Sequence, residues 1–471
     1  MIVFILITFQ ILGVMSAVHA VMSSRTPQGS IAWAVSLITF PYVAVPAYWV
    51  FGRNKFNGYV LARQEELTAL DDIIHKVNDD VTNAAETDHA RSQAITGAEK
   101  LARLRMTGAN KVELLIDGDA TFASIFEGIE AAENYVLVQF YIIRDDGLGR
   151  ELQSRLIEKA RNGVRVYFIY DEIGSLGLPA SYAEKLSEAG VLVRPFHTRK
   201  GSGNRFQLNF RNHRKTVVVD GTVAWIGGHN VGDEYLGKDE KFGHWRDTHA
   251  RIEGPAVIGA QLAFVEDWRW STDEMLTDLS WTPKPADGGS SDVLVLASGP
   301  ADKMETASLM YTQAINSATQ RIWIASPYFV PDDSIVQALQ LAGLRGVDVR
   351  ILIPEKTDSK LVTYSAYSFF DEISAAGVQF YRYHGGFLHE KVLLIDDDVA
   401  TVGTANFDNR SFRLNFEITT VIVDADFAHD VEEMFEQDFS ESRIMERDEF
   451  DKKSFWFKLM VQTARLAAPV L

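Results

Sequence analysis

No cysteine occurs anywhere in the 471 residues. That excludes a disulfide framework and any thiolate-bound metal. A basic surplus is missing too: 64 acidic residues stand against 46 basic ones, a net charge of -18. Nucleic-acid binders carry a basic face, so this balance argues against a nuclease. It does not favour adsorption of the body to an anionic membrane either, so contact with anionic lipid has to rest on local basic groups or apolar anchoring. No glycine-rich phosphate loop is present, and no nucleoside triphosphate needs to be invoked. No lysine or arginine precedes the first apolar run, Ile2 to Val21, so the positively charged start of a secretory signal is lacking.

What is there begins with that run. Ile2 to Val21 carries no charge apart from protonation of His19, and is long enough to cross a bilayer as a helix. A second uncharged stretch, Ile31 to Phe51, ends in Tyr48-Trp49-Val50-Phe51, the composition of an interface belt. Pro41 and Pro46 are expected to kink it, which membrane helices tolerate. A cleaved signal ending near Val18-His19-Ala20 is the alternative for the first run. The second run directly after it favours a two-helix hairpin. Arg25 alone marks the connecting loop, whereas Arg53, Lys55 and Arg63 follow the second run. The positive-inside rule then puts the N-terminus and the body in the cytoplasm, attached to the inner membrane.

The whole chain is 46% hydrophobic, with room for about three domain-sized units. Gly52 to Met106 reads as a charged helical linker, with Glu65, Glu66, Asp71, Asp72, Asp79 and Asp80 on a solvated face. From Thr107 short apolar runs alternate with helical segments. Val136 to Ile143 reads as a buried strand, Gly149 to Arg161 as an amphipathic helix, and Val164 to Tyr170 as the next strand. The pattern returns as strand Ile322 to Val330, helix Ser334 to Leu344 and strand Val347 to Ile353. This is the grammar of a mostly parallel sheet covered by helices, an α/β fold. Repeats this long mean duplicated domains, separated by the Pro/Gly/Ser-rich stretch Trp281 to Ser291. The expected parts are an anchor at 1–55, the linker at 56–106, halves at 107–285 and 286–450, and an amphipathic C-terminal helix at 451–471. That helix, with Phe455, Trp456, Phe457, Leu459 and Met460, fits either the membrane surface or packing on the body.

The chemistry is carried by one pattern that occurs twice, 176 residues apart: His213-x-Lys215-x4-Asp220 and His389-x-Lys391-x4-Asp396. Each copy is trailed by small residues and an asparagine, Gly227-Gly228-His229-Asn230 and Gly403-Thr404-Ala405-Asn406. On a strand, His and Lys two apart share one face. Two such faces brought together give two imidazoles and two fixed cations. That set suits attack on a phosphodiester, with one histidine as nucleophile, the other as acid, and the lysines on the phosphate oxygens.

This pair of motifs, with Asp233-Glu234-Tyr235 after the first and Asn406-Phe407-Asp408-Asn409-Arg410-Ser411-Phe412 after the second, resembles the double HKD signature of the phospholipase D superfamily. With the N-terminal apolar segment, the chain is similar to the bacterial cardiolipin synthases of that superfamily over nearly its whole length. The resemblance implies two α/β/α halves about a pseudo-twofold axis, sharing one cleft. It implies phosphatidyl transfer between two phosphatidylglycerol molecules through a phosphohistidine, yielding cardiolipin and glycerol at a bilayer, with no metal and no cofactor. His213 is then the nucleophile and His389 the acid and base. The same residues would serve a hydrolytic phospholipase D, or transfer to another alcohol such as serine or an ethanolamine lipid. Both motifs being intact argues against a catalytically dead scaffold.

The aspartates inside the motifs lie seven residues past their histidines, ~23 Å along an extended strand. Asp220 and Asp396 therefore read as structural, holding the turns after each strand. A nucleophilic histidine still needs a carboxylate on its other nitrogen. Asp247 and Glu417 occupy matching places in the repeat. Asp247 is expected to orient His213, and Glu417 to orient His389. Asn230, Asn406, Arg410 and Ser411 are candidate phosphate contacts, with Arg410 equally placed to pair with Asp408. His229, His244 and His249 lack a repeated counterpart and read as supporting residues rather than metal ligands.

Overall fold

The protein is described by a computed structural model covering residues 1–471, apart from 25, 53–55, 57–58, 61–71, 80–92, 198–208 and 447. Arg25, Arg53, Lys55, Arg63, Glu65, Glu66, Asp71 and Asp80, used above for orientation and for the linker, lie outside the described residues.

The N-terminus forms three helices: α1 (Ile2–Ser23), α2 (Pro27–Thr39) and α3 (Pro41–Phe51). Among the described residues only Val3–Ser23 is long and apolar enough by itself to cross a bilayer. The second apolar stretch is not one kinked span. Phe40 leaves the helical conformation (φ -131, ψ 56) and Pro41 starts a new helix at its first position, where its missing N–H costs nothing. Pro46 sits inside α3. Close approach is possible because α1 carries Gly13, where any Cβ would overlap the Leu37 carbonyl of α2. Leu37, Ala44, Val45 and Tyr48 form the small shared core with Ala17 and Ala20.

The body is one long mixed sheet, and its strand order displays the duplication. Outward from its centre, the first half runs Thr107–Ile116, Thr248–Glu253, Val223–Gly227, Thr216–Val219, Tyr135–Phe140, Arg165–Asp171 and Leu192–Phe196. The second half repeats this as Ser291–Ser298, Asn415–Val423, Val399–Gly403, Val392–Ile395, Arg321–Ala325, Asp348–Pro354 and Gln379–Tyr383. The two runs join antiparallel at the centre, Thr107 opposite Val293. The β-α-β units are parallel as expected, Tyr135–Phe140 beside Arg165–Asp171 and Arg321–Ala325 beside Asp348–Pro354. The strand expected to continue to Val330 stops at Ala325, because Pro327 cannot donate to the ladder; a two-residue strand Phe329–Val330 pairs elsewhere.

The linker is not a free stalk where it is described. Phe56 and Tyr59 are buried in an aromatic cluster with Phe210, Trp270 and Phe416. Ile74 and Val77 are buried too.

Asp220 and Asp396 end the motif strands in the left-handed region, φ 52 and 49. Asp220 accepts from the backbone N–H groups of Glu133, Asn134 and Tyr135. Asp396 accepts from those of Thr319, Gln320 and Arg321. Each carboxylate thus ties its hairpin to the start of the neighbouring strand, and neither reaches a histidine. Asp220→Ala or Asp396→Ala is expected to cost about 2–3 kcal/mol of stability, since three donors lose their acceptor. Turnover per folded molecule should change little; denaturant unfolding alongside activity separates the two.

Candidate active site

Neither His-x-Lys pair sits inside a strand of its own half. Arg211–Asn212 pairs in parallel with Asn415–Phe416 of the second half, and the His213 N–H donates to the Phe416 carbonyl at 2.9 Å. Only after Lys215 does the chain join its own sheet at Thr216. The second motif mirrors this: Phe387–Leu388 pairs with Trp245–Arg246 of the first half, and the His389 N–H donates to Arg246 at 2.8 Å. Each motif therefore crosses from the other half's strand to its own.

That crossing decides the carboxylates. Glu417 follows Phe416 and meets His213, whose Nδ1 lies 2.9 Å from Oε2 and 3.1 Å from Oε1. Asp247 follows Arg246 and meets His389, Nδ1 to Oδ2 2.6 Å. Both carboxylates meet a motif histidine, but the pairing expected within each half is reversed. Asp247 meets His389 and Glu417 meets His213, each from the opposite half.

The two carboxylates are supported differently. Thr404 donates its hydroxyl to Glu417 Oε2 at 2.6 Å, and the Asn415 amide reaches Oε1 at 3.1 Å. At the matching place beside Asp247 stands Gly228, where a Cβ would overlap the carboxylate itself. The glycine in one copy and the threonine in the other are thus fitted to a shorter and a longer acid. Asp247 Oδ1 takes the Thr248 N–H instead, at 2.8 Å.

Each lysine curls onto its own motif. Lys215 Nζ donates to the His213 carbonyl at 2.7 Å and lies over the Tyr141 ring, while Lys391 Nζ donates to the His389 carbonyl and lies 2.9 Å from that ring's Nδ1. Aromatic rings wall the two imidazoles, Tyr141 edge-on to His213 at 5.0 Å and Trp245 at 5.1 Å from His389.

Burial pushes both imidazoles down, His213 to about 4 and His389 to about 3, outweighing their carboxylates. Burial alone would raise the acids. Lys391 and His389 nevertheless hold Asp247 below the ordinary carboxylate range, as His213 and Lys215 do for Glu417. Burial lowers Lys215 well below its usual value and brings Lys391 to about 8. At neutral pH the site thus holds neutral imidazoles donating from Nδ1 to ionised acids. In both rings Nε2 has no hydrogen bond to a described residue and is not a buried orphan. The lone pair needed for attack or proton uptake is therefore available.

Linkage gives a direction for stability. An imidazole whose folded value lies below its unfolded 6.5 binds fewer protons folded than unfolded in the window between the two. Its contribution is present above pH 6.5 and is lost as pH falls toward about 4 and about 3. The lowered acids act in the same sense at still lower pH. The melting temperature of the substrate-free protein should therefore drop steadily from pH 7 to pH 4; a flat profile would contradict buried neutral histidines.

The candidate phosphate contacts fare unevenly. Asn230 spends its amide on the fold, accepting from Ile142 N–H and donating to the Tyr235 hydroxyl. The Ser411 hydroxyl accepts from the Asn406 N–H, and its own N–H donates to Asp408. Asn406 Oδ1 is buried without a partner. Arg410 makes no ion pair with Asp408; its guanidinium donates to the Asn209 carbonyl and side chain at 2.9 and 2.7 Å. His229 and His249 touch each other through Nδ1 at 3.1 Å, and His244 pairs with Asp117. These three histidines do not converge as a ligand set.

Sequence reasoning passed over the middle residue of each His-x-Lys. Arg214 is buried against Asp267 at 2.9 Å. Glu390 is buried against Arg246 at 2.7 Å, and Arg246 also grips Asp438. The signal was available: alternation places the middle residue on the face opposite the histidine, which is the core, and a charge there requires a buried partner.

Comparison with known proteins agrees with this architecture. The family described as "Cardiolipin synthase, PLD-like domain" matches residues 125–243 and 311–439, just over half of the chain. A second, "Phospholipase_D-nuclease N-terminal", matches residues 11–53. Cardiolipin synthase A of Pseudomonas fluorescens is 47% identical over 466 residues, covering 98% of this chain and 96% of that protein. Cardiolipin synthase A of Pseudomonas putida matches with the same identity and coverage. Among solved structures, phosphatidylserine synthase of Haemophilus influenzae superposes with a TM-score of 0.61 at 15% identity, over 81% of this chain and all of that one. The repeated sheet, the double His-x-Lys and these similarities place the chain in the cardiolipin synthase family of the phospholipase D superfamily.

Proposed function

We propose that this protein transfers a phosphatidyl group from one phosphatidylglycerol to a second, forming cardiolipin and glycerol. The observation that carries the reading is the pair of imidazoles, each fixed at Nδ1 by a carboxylate from the opposite half with Nε2 left available. In the first step His213 Nε2 attacks phosphorus and the bond to the glycerol oxygen breaks. His389, protonated once an anionic phosphodiester sits beside it, gives its proton to that oxygen. In the second step the neutral His389 takes the proton of an incoming lipid hydroxyl. The alcohol oxygen bonds to phosphorus, the P–N bond breaks, and His213 is released. The choice of His213 as nucleophile rests on the superfamily resemblance.

Lys215 and Lys391 hold the non-bridging oxygens, where charge gathers in the transition state. Glu417 and Asp247 keep each ring's tautomer and balance its positive charge when it forms.

Transfer rather than hydrolysis requires lipid alcohol to outrun water. Anchoring the cleft at the bilayer supplies a high local lipid concentration. Helix α1 spans, and α2 with α3 form the broken return, about 20 and 16 Å long at 1.5 Å per residue. Arg53, Lys55 and Arg63 after them favour a cytoplasmic body on the inner membrane.

The test uses purified protein in vesicles with headgroup-labelled phosphatidylglycerol. Cardiolipin together with free glycerol is the expected product. Phosphatidic acid alone, with acceptor lipid in excess, would show a hydrolase instead.

A further inference from the structure

The C-terminal helix Phe455–Arg465 is apolar on two faces, and only one of them is used by the fold. Its inner face is satisfied: Phe457 packs on Tyr364 and Tyr367, while Val461 and Ala464 are buried. The opposite face exposes Phe455 and Trp456 at 72% each, Leu459 at 45% and Met460 at 50%, with Leu466 at 82% just beyond. Among the described residues, Phe455 and Trp456 are the only large aromatic side chains so exposed outside α1–α3. A folded body seldom leaves such a stripe in water. An aromatic pair at one end of an amphipathic helix is the composition found at membrane interfaces.

The position of this helix points to one occupant. The terminal Leu471 carbonyl accepts from the Arg410 N–H at 2.8 Å, so the C-terminus is pinned to the segment that follows Asn406. Arg410 in turn holds Asn209, and the adjoining Phe210 stacks on Phe56 at 5.2 Å. Phe56 lies five residues beyond Phe51, the last residue of α3, within about 18 Å even if extended. The C-terminal segment, the second-motif loop and the exit of the membrane anchor thus form one contact chain at the site.

We propose that Phe455, Trp456, Leu459, Met460 and Leu466 insert into the interface of the bilayer that anchors α1, holding the mouth of the cleft against the lipid surface. Apolar burial supplies the attachment rather than charge. Nearby Lys453, Lys458 and Arg465 already face Glu449, Asp451 and Glu372. The attachment is therefore insensitive to salt. The inference rests on membrane anchoring and not on which alcohol accepts the phosphatidyl group.

The absence of cysteine makes the test direct. Trp456→Cys carries a bimane label in full-length protein, in vesicles of phosphatidylethanolamine and phosphatidylglycerol. Glu188→Cys, at an exposed helix end, serves as the comparison. The label at 456 should be quenched by nitroxide-bearing lipids and shielded from aqueous iodide, at low and high salt alike, with the reverse at 188. Iodide quenching at 456 as strong as at 188 would overturn the proposal. So would shielding from both quenchers with label-to-label energy transfer rising with protein per vesicle, because a second copy would then cover the face. In parallel, Phe455→Glu with Trp456→Glu should raise KM about ten-fold more for vesicle lipid than for short-chain micellar lipid. Equal rises on both would count against it. Cardiolipin formation by the parent protein in the same vesicles is the separate check on the catalytic reading.

Discussion

Replacing either motif histidine with alanine is expected to lower kcat on the order of 10^5-fold or more, and replacing both to cost little beyond the worse single change. In the proposed mechanism the two rings act on one phosphorus in sequence, so losing either stops the cycle. Their roles separate on a substrate whose leaving group needs no proton. With phosphatidyl p-nitrophenol, His389→Ala should still release a first-turnover burst of p-nitrophenol, because a stable phenolate departs without an acid. His213→Ala should release none, since no nucleophile remains. A burst in His213→Ala and none in His389→Ala would exchange the two assignments and leave the rest of the site intact.

The second large effect follows from the crossed carboxylates. Glu417→Gln and Asp247→Asn should each lower kcat roughly 10^3-fold, because an amide cannot fix the Nδ1–H tautomer or balance an imidazolium. Crossing makes the two variants distinguishable. Glu417 lies 2.9 Å from His213, so Glu417→Gln should suppress the p-nitrophenol burst. Asp247 lies 2.6 Å from His389, so Asp247→Asn should spare the burst and slow the later turnovers. In double-mutant cycles Glu417→Gln should add little on top of His213→Ala. If Asp247→Asn rather than Glu417→Gln suppresses the burst, the within-half pairing is correct. Both effects are losses of rate with the fold retained, which a melting curve checks.

Much of this site was legible because it is local. The two His-x-Lys copies and their trailing small residues need only a repeat at fixed spacing to be seen. Asp220 and Asp396 could be set aside from the histidines by length alone. The β-α-β alternation of apolar and amphipathic segments reads off period 2 against period 3.6. The matching strands and helices lie within a few residues of where that reading puts them. The second apolar stretch was legible as apolar but not as two helices. Its break depends on Phe40 leaving the helical region ahead of Pro41, which composition alone does not reveal.

What sequence by itself determined is therefore the inventory: two histidines, two lysines, two candidate acids, a duplicated α/β pattern and an apolar N-terminus. Each is a short-range property, set by the side chains and their spacing along one strand or helix. Only the tertiary structure decided who meets whom. Two-residue strands, Arg211–Asn212 and Phe387–Leu388, pair with the opposite half, and that exchange delivers Glu417 to His213 and Asp247 to His389. Likewise Phe56 and Tyr59, read as linker, become core because a cluster from three distant segments closes over them. Long-range strand exchange leaves no periodic trace in the chain, since within-half and crossed pairings place the same residues at the same offsets and differ only in which backbone supplies the hydrogen bonds.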